Sequence, residues 1–291
     1  MKMERYDRQM RFFGMDGQSK IAASRVAVVG AGGLGSHVIQ QLALLGVGNV
    51  TIIDGQELAE TDRNRYVIAR QKDPIPGSRK VDLAERLVRE INPEIAVQKI
   101  PKSLVSEEAF RTIIGADFVF GCLDSEGARL ILNELCAAYA RPYFDLASDI
   151  IPGDPPDYGG RVCVAWDGQG CIVCRGELDL AEAQEDLMGT SNRADRDRLY
   201  GVKKAMLGHS GPSVVSINGV VASLGVTEFM VAVTGIRTPK GLLMYRGQRG
   251  TVSLSNELPV LDCYYCRGLR GKRDIADVQR YIRAGVGEYL R

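Results

Sequence analysis

The amino-acid sequence predicts an α/β fold: a Rossmann-like, mostly parallel sheet with crossover helices, extended by a C-terminal region with antiparallel strands and a four-cysteine zinc site. Three observations carry that prediction. Short β-branched runs alternate with helical patterns over the first 150 residues, a glycine-rich turn joins the first strand to the first helix, and two Cys-x-x-Cys pairs stand in the C-terminal half. Strands separated by helices pair in parallel, because a crossover returns the chain to the same end of the sheet.

Each element follows from residue type and spacing. Residues 25–29 are β-branched and read as a strand, 34–45 as an apolar helix, and 49–53 as a second strand. Residues 81–91 place Val81, Ala84, Leu87, Val88 and Ile91 at helical spacing and stop before Asn92-Pro93. A strand at 95–100, a helix at 107–114, a strand at 117–121, a helix at 127–140 and a strand at 142–146 complete the alternation. Residues 151–160 hold three prolines and three glycines and read as a connector. Beyond it come a strand at 161–166, a polar, charge-rich stretch read as a mobile crossover loop at about 176–212, and a long apolar helix at 213–233. Strands at 242–245 and 251–254 and a basic helical tail at 274–290 end the chain.

Composition narrows the function classes. Charged residues make up 25% of the chain and its formal net charge is +1, so bulk charge does not drive nucleic-acid binding. No apolar run approaches the roughly 20 residues of a membrane span, and the charged first residues lack the apolar stretch of a signal peptide. A cytoplasmic protein is expected. Seven cysteines are an odd number for a disulfide scaffold, and Cys122, Cys136 and Cys163 lie in apolar surroundings as small hydrophobes.

Gly30, Gly32, Gly33 and Gly35 fall where the first strand turns into the first helix. Glycines there permit a tight turn and bring the helix N-terminal N–H groups close to a pyrophosphate. Asp54 ends the second strand, where an acid commonly holds a ribose hydroxyl. By itself this pattern also fits a nicotinamide dinucleotide. Asp62, Asn64 and Arg65 follow Asp54, Lys80 opens the next helix and Asp124 ends the fourth strand, all at the carboxyl edge of the sheet. A triphosphate with Mg²⁺ needs Arg and Lys for its oxygens and a carboxylate for the metal, so Arg65, Lys80 and Asp124 favour ATP. An NAD-dependent oxidoreductase would need a catalytic His or a Tyr/Lys pair, and the only histidines, His37 and His209, have no supporting motif. Cys171, Cys174, Cys263 and Cys266 have the spacing of a structural Zn²⁺ site, with redox-active dithiols as the rival reading.

Taken in order along the chain, further stretches join these. They are Arg5-Tyr6-Asp7-Arg8-Gln9, Leu45-Gly46-Val47-Gly48, residues 61–65 and 77–80, Ile91-Asn92-Pro93, and Cys122-Leu123-Asp124. With the glycine turn and both cysteine pairs, the sequence resembles the ubiquitin-activating superfamily in its bacterial ThiF/MoeB/HesA branch, from residue 5 to residue 266. The resemblance implies an adenylyltransferase that activates the C-terminal carboxylate of a small ubiquitin-like (β-grasp, sulfur-carrier-like) protein or peptide as an acyl adenylate, releasing pyrophosphate. It implies Gly30, Gly32, Gly33 and Gly35 as the nucleotide loop, Asp54 on the ribose, Arg65 and Lys80 on the triphosphate and Asp124 on Mg²⁺. It further implies that Arg8 reaches into the partner subunit's ATP site, hence a homodimer. Residues 1–150 are then the ATP-binding adenylation region, and 151–291 the remainder of the same domain, with crossover loop, zinc site and tail helix.

The sequence departs from the family pattern twice. Where Ser-Asn-Leu-x-Arg is usual, it reads Thr61-Asp62-Arg63-Asn64-Arg65, putting a negative charge near an anionic ligand; Asp62 helps to bind Mg²⁺, or Asn64 takes over the asparagine's role. No cysteine lies between Cys174 and Cys263, so a thiol intermediate in the loop is excluded and direct transfer of the adenylate is expected. Thr190 or Ser191 could instead accept the acyl group as an ester. A catalytically silent dimeric scaffold is the alternative within the fold, and the near-neutral charge gives little support to a nucleic-acid partner.

Overall fold

The computed structural model describes residues 3–188, 211–256 and 258–290. After helix α1 (Asp7–Ala23) the chain forms β1 (Arg25–Val29), α2 (Gly33–Leu45), β2 (Asn49–Ile53), α3 (Lys80–Ile91), β3 (Ala96–Ile100), α4 (Glu107–Gly115), β4 (Phe118–Gly121) and α5 (Glu126–Ala138). The hairpin β5 (Tyr143–Ile151) and β6 (Asp157–Ala165) follows, then α6 (Leu180–Leu187), α7 (Val215–Thr234), β7 (Leu242–Arg246), β8 (Thr251–Leu254) and a short α8 (Arg280–Arg283). All eight strands belong to one sheet in the order β3-β2-β1-β4-β5-β6-β7-β8. The pairs from β3 through β5 are parallel and those from β5 to β8 antiparallel.

Packing follows from the β-branched strands, which are apolar on both faces. One face carries Ile113, Leu132, Leu135 and Val286, from α4, α5 and the tail; the other carries Val38, Leu42, Val81, Val88 and Phe229, from α2, α3 and α7. The sheet order reverses between β1 and β4, and this switch point opens the crevice where ligands of such sheets bind.

One helix is unexpected, and three expectations are corrected. Helix α1 has no counterpart among the elements the sequence predicts, because its surface is charged and it buries only Gly17, Gln18 and Ile21; Gly14, with φ 76°, kinks it. The connector is shorter than 151–160: β5 and β6 pair as far as Ile151 and Asp157, which leaves only 152–156 as the link between them. Gly159 and Gly160 serve close backbone approach, since a Cβ would sit 2.0 Å from the Tyr245 carbonyl oxygen and 2.4 Å from that of Ala147, respectively. The tail is not one helix but short turns, interrupted by left-handed backbone at Asp277 (φ 50°) and Gly285 (φ 67°). Finally, α7 is by length and composition apolar enough to cross a membrane. Here it packs against α2, α1 and β5, with its buried Glu228 paired to Arg237 at 2.6 Å.

Candidate active site

Parallel pairing brings the ends of β1, β2 and β4 level, with Val29 beside both Ile53 and Gly121. The chain leaves β1 through Gly30, whose φ of 89° is left-handed and whose missing Cβ makes room for the Cys122 carbonyl oxygen, 2.4 Å from where that atom would lie. Gly35 is equally constrained, because a Cβ would fall 1.9 Å from the Gly30 oxygen. Gly32 is different: a Cβ there would meet nothing within 4 Å. No described protein atom demands that glycine, and its bare backbone opens onto the N-terminus of α2, where unpaired N–H groups and the helix dipole favour an anion.

Asp54 sits beside this turn. Its carboxylate accepts from the backbone N–H of Ala31 and of Gln56, both at 2.7 Å. Burial raises its pKa above the ordinary carboxylate range, and those two donors and Lys80 oppose the shift. Next to it, Asp62 is a bridge: its carboxylate lies 2.9 Å from an Arg65 guanidinium nitrogen and 3.3 Å from Lys80 Nζ. Lys80 also donates to Gln56 Oε1 at 2.8 Å. The two cations predicted at the carboxyl edge are thus gathered by the acid that stands in place of the usual asparagine. A Cβ on Gly33 would lie 3.2 Å from Arg65 Cγ, which brings this pair against the first turn of α2. Asn64 is exposed and, among the described residues, its side chain meets the cluster through a 3.5 Å bond from Arg65.

Asp124 is exposed beyond β4, and among the described residues no hydrogen bond or ion pair engages its carboxylate. Its charge still reaches Asp54 and contributes to the raised pKa there. An open, acceptor-only carboxylate at this edge fits Mg²⁺, a hard cation that takes oxygen ligands. Arg8 lies exposed on α1, with no bond to these residues among the described ones.

Below Asp124 lies a buried charge network that sequence reading missed. Asp145, fully buried on β5, accepts from Tyr143 Oη at 2.6 Å and from Arg129 at 2.8 Å, and it also pairs with Arg161. Arg129 further donates to the carbonyl of Leu123, beside Asp124, while Arg161 donates to the carbonyl of Glu177 at 2.8 Å. Desolvation pushes the Asp145 carboxyl up, but the two arginines outweigh it and leave the group below its usual range. The available signal was a charged residue inside each of two otherwise apolar runs, 143–146 and 128–132.

The four predicted metal-ligating cysteines converge. The sulfurs of Cys171, Cys174, Cys263 and Cys266 all lie within 4.8 Å of one another, with Cys171–Cys263 at 3.9 Å and Cys174–Cys266 at 3.8 Å. Bonds of about 2.3 Å to a central tetrahedral Zn²⁺ would space thiolates by roughly that distance, so the donor set fits. Cys136 and Cys163 are buried in the core and Cys122 packs against it half-buried, and burial pushes all three thiols up. Thr190, Ser191 and His209 lie outside the described residues.

A glycine turn at the switch point, cations beside it and a four-cysteine cluster on the antiparallel flank define the class: a doubly wound α/β protein with a glycine turn opening its first helix at the switch point. Within that class the chain belongs to the ThiF family, whose model matches residues 6–263. Molybdopterin-synthase adenylyltransferase of Escherichia coli (strain K12) is 33% identical over 181 residues, which are 61% of this chain and 69% of that protein. The SAMP-activating enzyme E1 of Haloferax volcanii is 33% identical over 137 residues, 46% of this chain and 50% of that one. The chain spans less than two thirds of several curated relatives, and only 30% of adenylyltransferase and sulfurtransferase UBA4 of Lodderomyces elongisporus. Among solved structures, E. coli MccB with MccA-N7isoASN superposes with a TM-score of 0.70 at 20% identity, covering 91% of this chain and 75% of MccB, which shows a shared fold.

Proposed function

We propose that this chain is an ATP-dependent adenylyltransferase that activates the C-terminal carboxylate of a small ubiquitin-like, sulfur-carrier-like protein or a peptide. The observation that carries the reading is Arg65 and Lys80, gathered on Asp62 beside the open Gly32 backbone, with the exposed Asp124 at the same edge. Adenylyltransferase names among its relatives, including the E. coli molybdopterin-synthase enzyme, support the same chemistry.

On this reading the carboxylate oxygen attacks the α-phosphorus of ATP. The bond from that phosphorus to the α,β-bridging oxygen breaks, and pyrophosphate leaves with its electron pair. The cradle N–H groups hold phosphate oxygens, Asp54 orients the ribose, and Arg65 and Lys80 shift from Asp62 onto the triphosphate as charge builds there. Asp124 would hold Mg²⁺, which neutralises phosphate charge when bound. The acyl adenylate passes directly to the final nucleophile, because no cysteine lies between Cys174 and Cys263. Zn²⁺ on the four cysteines would be structural, since four thiolates leave no open position for catalysis. The reading includes a homodimer in which Arg8 completes the partner's site, and a cytoplasmic location.

A partner of protein size is supported by the sheet edge. Strand β8 is exposed along its whole length, with Val252 and Leu254 about half exposed. Such an edge pairs readily with a strand of another chain. Pyrophosphate exchange stimulated by small proteins ending in Gly-Gly, and abolished in Asp124→Ala, is the expected result. No exchange with any such protein or peptide, despite ATP binding, would favour the silent scaffold.

A further inference from the structure

We propose that Asp186 of α6 is a positioning residue for Asp124; the inference rests on the reading of Asp124 as the magnesium ligand. Asp186 Oδ2 accepts from Ser125 Oγ at 2.8 Å and from the Gly127 backbone N–H at 3.1 Å. These are the residues that open α5, and Asp124 immediately precedes them. Gly127 permits the approach, since a Cβ there would sit 2.6 Å from Asp186 Cβ. The contact is reciprocal: Glu126 Oε2 accepts from the backbone N–H of Asp179 at 3.0 Å, and Asp179 caps α6 through Ala181 and Glu182.

Asp124 is therefore held from both sides. Arg129 grips the carbonyl of the residue before it, and Asp186 grips the hydroxyl of the residue after it. Each grip comes from a different part of the fold, the Asp145 network on one side and the start of the crossover segment on the other. Neither group touches the Asp124 side chain; together they fix the backbone on both sides of it, and so the point from which its carboxylate projects. Docking of α6 thus sets how well the Asp124 carboxylate is aimed, which ties the metal site to the crossover segment.

The test uses the full chain and Mn²⁺ as probe, with binding measured by calorimetry or electron paramagnetic resonance in the presence of a non-hydrolysable ATP analogue. Asp186→Ala is expected to weaken Mn²⁺ binding by about tenfold, while Asp186→Asn, which keeps the accepting oxygen, restores it to within about twofold of the parent chain. Metal-free nucleotide affinity stays unchanged in both. Should Asp186→Ala fold poorly, Ser125→Ala removes the same hydrogen bond and is expected to weaken Mn²⁺ in the same direction. Unchanged Mn²⁺ affinity in Asp186→Ala, or an Asp186→Asn as weak as Asp186→Ala, overturns the positioning role alone. Failure of the parent chain to bind Mn²⁺ with nucleotide overturns this role together with the proposed function.

Discussion

Replacing Asp62 by asparagine restores the residue usual in the family and removes the negative charge that bridges Arg65 and Lys80. The two side chains of the Lys80–Asp62 pair are 6% and 11% exposed and lie 3.3 Å apart. The ammonium keeps Gln56 Oε1 and the asparagine's own oxygen as neutral acceptors, so losing the opposite charge costs about 2–3 kcal/mol, below the cost of a fully stranded buried charge. The Arg65 pair is more exposed and adds about 0.5 kcal/mol. The apo protein is therefore expected to lose about 3 kcal/mol, or roughly 6–10 °C in Tm for a chain of this size. Nucleotide binding moves the other way. With Asp62 neutral, neither cation must leave an acid to reach a phosphate, and a gain of about 1.4 kcal/mol would tighten Mg-ATP tenfold. Differential scanning fluorimetry with and without Mg-ATP reads both effects, and calorimetry gives the affinity directly. An Asp62→Asn protein with unchanged apo Tm and equal or weaker Mg-ATP binding would refute the bridge.

Gly32→Ala should fold with nearly parental Tm yet bind Mg-ATP at least about tenfold more weakly, because its Cβ meets only space meant for ligand; Gly35→Ala should destabilise the chain by about 3 kcal/mol, since its Cβ clashes with the Gly30 carbonyl. Thermal melts and nucleotide titrations on the two variants separate these outcomes. Metal analysis should find one Zn²⁺ per chain, and its removal by a chelator should lower Tm by about 10 °C or more, because such binding contributes to folding itself; zinc-free protein of unchanged Tm would count against a structural metal. Asp145→Ala takes away the carboxylate shared by two buried arginines, leaving Arg161 to Glu177 and Arg129 to Glu126, and should cost about 3 kcal/mol in urea unfolding, far more than Asp124→Ala at its exposed position.

Local chemistry makes much of this protein legible from sequence. The β-branched runs, the apolar helical spacing and the glycine turn depend on near neighbours, so β1, β2, β7 and β8 and most helices lie where residue type places them. The paired cysteines also announce themselves, because each Cys-x-x-Cys places two sulfurs on one centre whatever the fold. Other features depend on segments far apart in the chain. The prolines of 151–156 read as a break, and only pairing across the sheet extends β5 and β6 to meet there. Residue type puts Asp62 near an anion but does not decide its role; the fold sets Lys80, the first residue of α3, within reach of its carboxylate. Asp145, Arg129 and Arg161 look like interruptions in apolar runs until β5, α5 and β6 bring them into one buried network. Charge pairing in the interior is a matter of three-dimensional distance and desolvation, and neither quantity is written in residue order.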